Sequence, residues 1–330
     1  MTPELKKIFT VDPFKGMSQE TPGEVCNLLK GKWVQGEVFR KDIPDPMSGE
    51  NFLNVPDTTE YSEFINNLDS CPKSGLHNPL KNVERYLMLG KVCAKTAEIL
   101  REDEVEKYFT KLIQRVMPKS DSQCLGEVTV TRVFFENFSG DNVRFLARSF
   151  SNPGDHLGQE SSGYRWPFGQ VCIIAPFNFP LEIPALQLMG ALFMGNKPLV
   201  KVDSKVSVVF EQLLRLLIYC GLPAEDVDFI NCRGEVMGEL VKKSENKIRL
   251  LQFTGSKEVA NRLAVETKGK IRIEDAGFDW KIIGPDYDPE WSEYVAWQAD
   301  EDAYNASGQK CSAQSILFVH ENWEKDLFPK

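Results

Sequence analysis

From Trp166 onward, solid apolar runs of four to six residues alternate with stretches whose apolar positions recur at helical spacing. Val171-Cys-Ile-Ile-Ala175 is the first such run, closed by the turn Pro176-Phe-Asn-Phe-Pro180 and followed by a predicted helix from Glu182 to about Met194. Further strands are predicted at Pro198 to Val202, Asp228 to Asn231, Ile248 to Phe253 and Lys270 to Ile273. The helices between them run from Ser204 to Tyr219, with Gly221-Leu-Pro223 as a stop signal, from Glu235 to Lys243 and from Ser256 to Thr267. Runs that are apolar at every position mark strands covered on both faces, so this alternation predicts an α/β fold with a doubly wound parallel sheet.

Upstream the pattern is weaker. Residues 1 to 76 are rich in Pro, Gly, Asn and Asp, with strand-like pieces only at Lys32 to Gln35 and Val38-Phe39, and read as an irregular wrapping arm. Helical spacing of Val83, Leu87, Val92 and Ile99 predicts a helix within Asn78 to Glu102, and a second spans Glu104 to Val116, ended by Pro118. Glu127 to Phe150 fits both periods; the helical reading is preferred, with a break near Gly140. One more strand is expected at Ser315 to His320, ahead of a polar tail ending at Lys330.

Composition narrows the function classes. The 330 residues carry 39 Lys and Arg against 48 Asp and Glu, a net charge of -9, without a dense basic cluster, which argues against a nucleic-acid partner. The longest apolar stretch, Ile183 to Met194, is too short to span a bilayer. Eight cysteines without paired spacing read as reduced thiols, and three scattered histidines give no metal-ligand spacing. The first sixteen residues contain Glu4 and Asp12 and lack the pattern of a secretory or transit peptide.

In a doubly wound sheet ligands bind beyond the carboxyl ends of the strands, so chemistry is sought there. Asn178, in the turn after the first strand, offers an amide to a developing oxyanion, or simply stabilises the turn. Lys201 interrupts the apolar second strand, either as a ligand-paired amine or as a gatekeeper on an edge strand. Thr254-Gly255-Ser256 opens a helix whose first N–H groups suit an anion, with Ser256 as its side-chain cap. Gly234-Glu-Val-Met-Gly238 is the nearest approach to a glycine-rich nucleotide loop, the complete Gly-x-Gly-x-x-Gly being absent. Glu274 ends the fifth strand as a candidate general base or a solvated carboxylate. Cys311, in Gly308-Gln-Lys-Cys-Ser-Ala313, is the one cysteine set among small and polar residues, with Lys310 placed to favour its thiolate.

Together Pro176-Phe-Asn-Phe-Pro180, Val200-Lys201, Phe253-Thr-Gly-Ser256, Glu274-Asp-Ala-Gly277 and Gly308-Gln-Lys-Cys311 resemble, in order, the motifs of the aldehyde dehydrogenase superfamily. The likeness runs from about Asn78 to the end, and Phe168 to Pro184 and Glu274 to Trp280 look most like the plant-type 1-pyrroline-5-carboxylate dehydrogenases. That resemblance implies NAD-dependent oxidation of glutamate 5-semialdehyde to glutamate in proline catabolism. Cys311 would be nucleophile, Asn178 oxyanion donor and Glu274 the base that activates water, while Lys201, Ser204, Gly234, Gly238, Thr254, Gly255, Ser256 and Phe177 would line the cofactor. It implies a mitochondrial matrix location, with the cytoplasm as alternative, and a homo-oligomer in the full-length form. A cofactor domain over 1–275 and an incomplete catalytic domain over 276–330 are expected, since relative to the family the sequence stops soon after Cys311. Two departures stand out: Glu-Asp-Ala-Gly replaces the usual Glu-Leu-Gly-Gly, and Lys201-Val-Asp-Ser204 replaces Lys-Pro-x-Glu, removing the acid expected on the adenosine ribose. Transfer to coenzyme A instead of water, or a non-catalytic form that binds nucleotide or a longer subunit, are the alternatives.

Overall fold

The computed structural model describes residues 2–40 and 42–327. The chain opens with α1 (Pro3–Ile8) and five short strands, β1 (Gly23–Glu24), β2 (Asn27–Leu29), β3 (Lys32–Val34), β4 (Phe39–Arg40) and β5 (Leu53–Pro56). Four helices follow, α2 (Ser62–Leu68), α3 (Glu84–Leu100), α4 (Asp103–Val116) and α5 (Asp121–Asn137), and then a hairpin of β6 (Ser149–Pro153) and β7 (Glu160–Tyr164). The alternating half is β8 (Gln170–Ala175), α6 (Glu182–Phe193), β9 (Lys197–Val202), α7 (Ser207–Tyr219), β10 (Asp228–Phe229), α8 (Gly234–Lys243), β11 (Leu250–Thr254), α9 (Lys257–Glu266) and β12 (Ile271–Glu274). Last come β13 (Asp279–Ile283), α10 (Ser292–Tyr304), β14 (Gln314–Val319) and α11 (Glu324–Leu327). Phe328 to Lys330, the end of the expected second domain, lie outside the described residues.

The central sheet has the order β12-β11-β8-β9-β10-β2-β3, parallel from β12 to β10. From β8 the chain builds outward through β9 and β10, then returns to the other side of β8 for β11 and β12, so the order reverses between β8 and β11. Loops splay apart at such a switch point and leave a crevice at the strand ends.

Both faces of β8 and β9 are covered, which explains why these strands lack polar alternation, whereas the edge strand β12 buries only Ile271. Ile173, Ala175, Val200 and Val202 pack in one core with α3 to α7, while Cys172, Leu199, Leu251 and Phe253 pack in the other with α2, α8 and α9. Burying each of the Val, Leu, Ile and Phe side chains among these contributes about 1.5–3 kcal/mol relative to exposure.

Three expectations change. The first 76 residues are more than a wrapping arm: β2 pairs antiparallel with β10, Leu28 opposite Phe229, and extends the sheet. Two- and three-residue strands are too short to show a period. The helical reading of the ambiguous segment holds for α5, whose first turn is capped by the Ser120 hydroxyl accepting from the Gln123 N–H, but from Ser149 the chain forms the β6–β7 hairpin. The edge-strand account of Lys201 falls, because β9 lies between β8 and β10. No helix among the described residues is long and apolar enough to cross a membrane.

Candidate functional site

The crevice predicted by the strand order is a cavity of about 570 Å³ lined from the ends of β8, β9, β11 and β12, the starts of α8 and α9, and the loop after α10. Its walls include Phe177, Asn178, Lys201, Gly234, Gly238, Thr254, Gly255, Ser256, Glu274 and Cys311. Ser204 is the candidate left out. It is buried, and its carbonyl accepts the Ser207 hydroxyl at the start of α7. Asp203 and Lys205, on either side of it, reach the cavity instead.

At one end, β11 and β12 pair with Thr254 opposite Glu274, and the Gly255 N–H donates to the Glu274 carbonyl at 3.1 Å. Gly255 has no room for a side chain, since a Cβ there would lie 2.7 Å from the Phe253 ring. The Thr254 hydroxyl accepts from Gln187 Nε2 of α6 at 2.8 Å. Ser256 sits in the cap position of α9 with extended backbone, but its hydroxyl makes no capping bond, contrary to expectation, and its side chain is exposed. Gly234 is the first residue of α8, and a Cβ there would meet nothing within 4 Å. Two helix starts therefore line the cavity together with the half-buried Lys201; burial pushes the nearby Cys232 thiol up to about 11, and the Lys201 charge opposes that rise.

At the other end the Cys311 thiol donates to Glu274 Oε1 at 2.9 Å. Burial, followed by this hydrogen bond and the carboxylate's charge, raises the Cys311 pKa, so Lys310 does not hold the group as a thiolate. Cys93, pushed up to about 12, and Cys124, to about 11, are raised chiefly by burial. Cys311 differs from them in having a carboxylate to take its proton. The preceding backbone is unusual: Ala306, Ser307 and Gly308 have φ of 53°, 56° and 73°. Left-handed conformation in a residue other than glycine costs roughly 1–2 kcal/mol. Asn178 Nδ2 donates to the Gln309 carbonyl at 2.8 Å, which ties the turn after β8 to the cysteine loop. One of its two amide protons is thereby used and the other is free for a ligand.

Sequence reasoning missed Asp203, Lys205, Arg262 and Gln187. The first two follow a predicted strand and were open to the rule that found Lys201. Arg262, which lines the cavity, and Gln187 lie inside helices, where only the fold shows what they face. No cluster of three metal-ligating side chains occurs among the described residues.

A family model described as "Aldehyde dehydrogenase family" matches residues 82–330. The Arabidopsis thaliana protein "Delta-1-pyrroline-5-carboxylate dehydrogenase 12A1, mitochondrial" is 58% identical over 318 residues, which are 96% of this chain and 56% of the relative. A "Probable aldehyde dehydrogenase" from Linum usitatissimum is 57% identical over 316 residues, 95% of this chain and 56% of the relative. The chain thus spans just over half the length of these curated relatives. Among solved structures, the succinate-semialdehyde dehydrogenase from Burkholderia pseudomallei superposes with a TM-score of 0.79 at 19% identity, over 92% of this chain and 61% of that one. At that identity the likeness concerns the fold.

Proposed function

The chain belongs to the aldehyde dehydrogenase family, and on that premise we propose that the full-length protein oxidises glutamate 5-semialdehyde to glutamate with NAD. The contact that carries this reading is the 2.9 Å hydrogen bond from the Cys311 thiol to Glu274. A protonated thiol is a poor nucleophile, and a carboxylate at this distance removes its proton as the sulfur attacks the aldehyde carbon. The new C–S bond leaves an alkoxide on the former carbonyl oxygen, to which the free Asn178 amide proton and the Cys311 backbone N–H donate. When bound, a nicotinamide dinucleotide supplies the acceptor for the hydride that leaves this carbon. Glu274, having passed its proton to solvent, then deprotonates a water that attacks the thioester carbon, and the C–S bond breaks to release the acid and regenerate Cys311.

The cavity fits the dinucleotide. The starts of α8 and α9 offer N–H groups to the phosphates, Lys201 offers a donor to a ribose, and the uncapped Ser256 hydroxyl remains available. NAD(P) is the family's cofactor class; we take NAD because Asp203, lining the cavity near Lys201, restores the acid that Ser204 lacks and would repel a 2′-phosphate. The Arabidopsis relative, whose name places it in mitochondria, supports that location. Assembly with further copies of the chain suits the β6–β7 hairpin, which among the described residues pairs with no other strand and exposes Phe150 and Tyr164.

Cys311→Ala in the full-length protein is expected to cut NADH formation from glutamate 5-semialdehyde by at least about 10³-fold, as removal of a covalent nucleophile does. A wild-type rate in that variant would sink the proposal. Glu274→Gln is expected to bring steady-state turnover close to zero while NADP in place of NAD slows the wild type.

A further inference from the structure

We infer that helix α5 is the jig that sets the cysteine loop against the oxyanion turn, with Gln123 and Glu127 as positioning residues for Cys311 and Asn178. The inference rests on the roles proposed above for that pair.

Gln123 and Glu127 are four residues apart and so lie on one face of α5. Gln123 Oε1 accepts from the backbone N–H of Ala306 at 3.2 Å, across 183 residues. Glu127 Oε1 accepts from the backbone N–H groups of Leu181 at 2.8 Å and Glu182 at 3.1 Å, where α6 begins just past Asn178. One turn of α5 therefore holds both pieces of backbone that carry the reacting groups. The Asn178–Gln309 bond closes the circuit from α5 through the turn and loop back to α5.

Each anchor sits where the backbone needs one. Ala306 is the first of the three left-handed residues that lead to Gln309, Lys310 and Cys311, a conformation an unanchored chain would leave. At the turn, the Glu127 carboxylate satisfies two of the N–H groups that a helix start leaves without intrahelical partners, and its charge suits that end of the dipole. Lys119 locks Glu127 in place: its ammonium is 2.9 Å from Glu127 Oε2, both side chains are buried, and it stands 4.0 Å from the centroid of the Phe179 ring beside Asn178. Among the described residues none of these groups hydrogen-bonds to the Cys311 sulfur or the Asn178 amide, so their effect on rate passes through position.

Misplacing a reacting group by about 1 Å can cost on the order of 100-fold in rate. In the full-length enzyme, Gln123→Ala is therefore expected to lower kcat by about 10- to 100-fold, with the KM for aldehyde and the affinity for NAD unchanged. Gln123→Glu keeps an acceptor at the same reach and is expected to restore kcat. Amide exchange read by mass spectrometry should quicken at Ala306 in Gln123→Ala, and at Leu181 and Glu182 in Glu127→Ala. Since Glu127→Ala strands the buried Lys119 charge and can prevent folding, the half-buried Gln123 is the deciding site. Wild-type kcat with unchanged exchange at Ala306 in Gln123→Ala would overturn the inference, as would a Gln123→Glu variant as slow as Gln123→Ala. If Cys311→Ala stayed active, the proposed chemistry would fail instead, and the exchange data would still report on the jig.

Discussion

Two six-residue strands, β8 and β14, occupy opposite surroundings in this molecule. β8 is hydrogen-bonded to β9 and β11, packs on both faces, and has four of its residues fully buried. Among the described residues β14 pairs with β13 alone, and it has no buried residue. Around it Trp280, Ile282, Trp291, Tyr294, Trp297 and Phe318 stand exposed. The cysteine loop joins these two settings, and three side chains reach it: Gln123 from α5, Asn178 from the turn after β8, and Glu274 from the exposed end of the edge strand β12. The cysteine loop is thus held from α5 and the turn after β8, both far from it in the sequence.

The contrast can be broken most forcefully by truncating one residue on each side. Leu199→Ala in β9 removes a fully buried side chain and is expected to destabilise the protein by about 2–5 kcal/mol, whereas Ile282→Ala in β13, 62% exposed, should stay within about 0.5 kcal/mol. Equal losses in urea unfolding would show that the two halves are packed alike.

A somewhat smaller effect is expected from acid. His77 is buried, its Nε2 bonded to the Phe193 carbonyl while Nδ1 has no partner, and burial lowers its pKa from 6.5 to about 4. The unfolded chain then takes up this proton first, so the stability contributed by neutral His77 is complete above pH 6.5 and is lost as pH falls towards 4. The full loss is on the order of 3 kcal/mol, and a His77→Gln variant should show a correspondingly flatter stability profile over that window. Parallel profiles for the two proteins would remove His77 from the account.

The smallest change concerns the tether at the seam. Because burial and Glu274 raise the Cys311 pKa, iodoacetamide should modify Cys311 with a midpoint above that of an ordinary thiol. Glu274→Gln replaces the charge that opposes the thiolate, and the midpoint should move down; an upward move would show that Glu274 does not act on the thiol.

How much of this was legible beforehand follows the same division. β8 and β9 were readable because sequences such as Val171 to Ala175 are apolar in both phases, the mark of strands covered on both sides, while the edge strand β12 was read from its place in the alternation. β13, in Asp279-Trp-Lys-Ile-Ile283, mixes polar and apolar residues and gave no such sign. Asn178, Lys201, Thr254 and Glu274 were found by looking just past strands. Ser204, named from the resemblance at the place of the acid in Lys-Pro-x-Glu, is buried outside the cavity lining. Gln123 and Glu127 were invisible as partners: they accept from backbone N–H groups 54 to 183 residues away, and a hydrogen bond to a main chain leaves no residue-type signature at the other end.

The antiparallel pairing of β2 with β10 has a consequence for the order of events during synthesis. Leu28 finds Phe229, Asn27 Oδ1 accepts from the Asn231 N–H, and Glu211 Oε2 accepts from the Cys26 N–H, all over separations of 185 to 204 residues. On a ribosome adding about 5–20 residues per second, the first strand segment would wait roughly 10–40 s for its partner to be made. During that interval Leu28 lacks the strand it pairs with, so the β2 edge of the sheet can close only after β10 has been made.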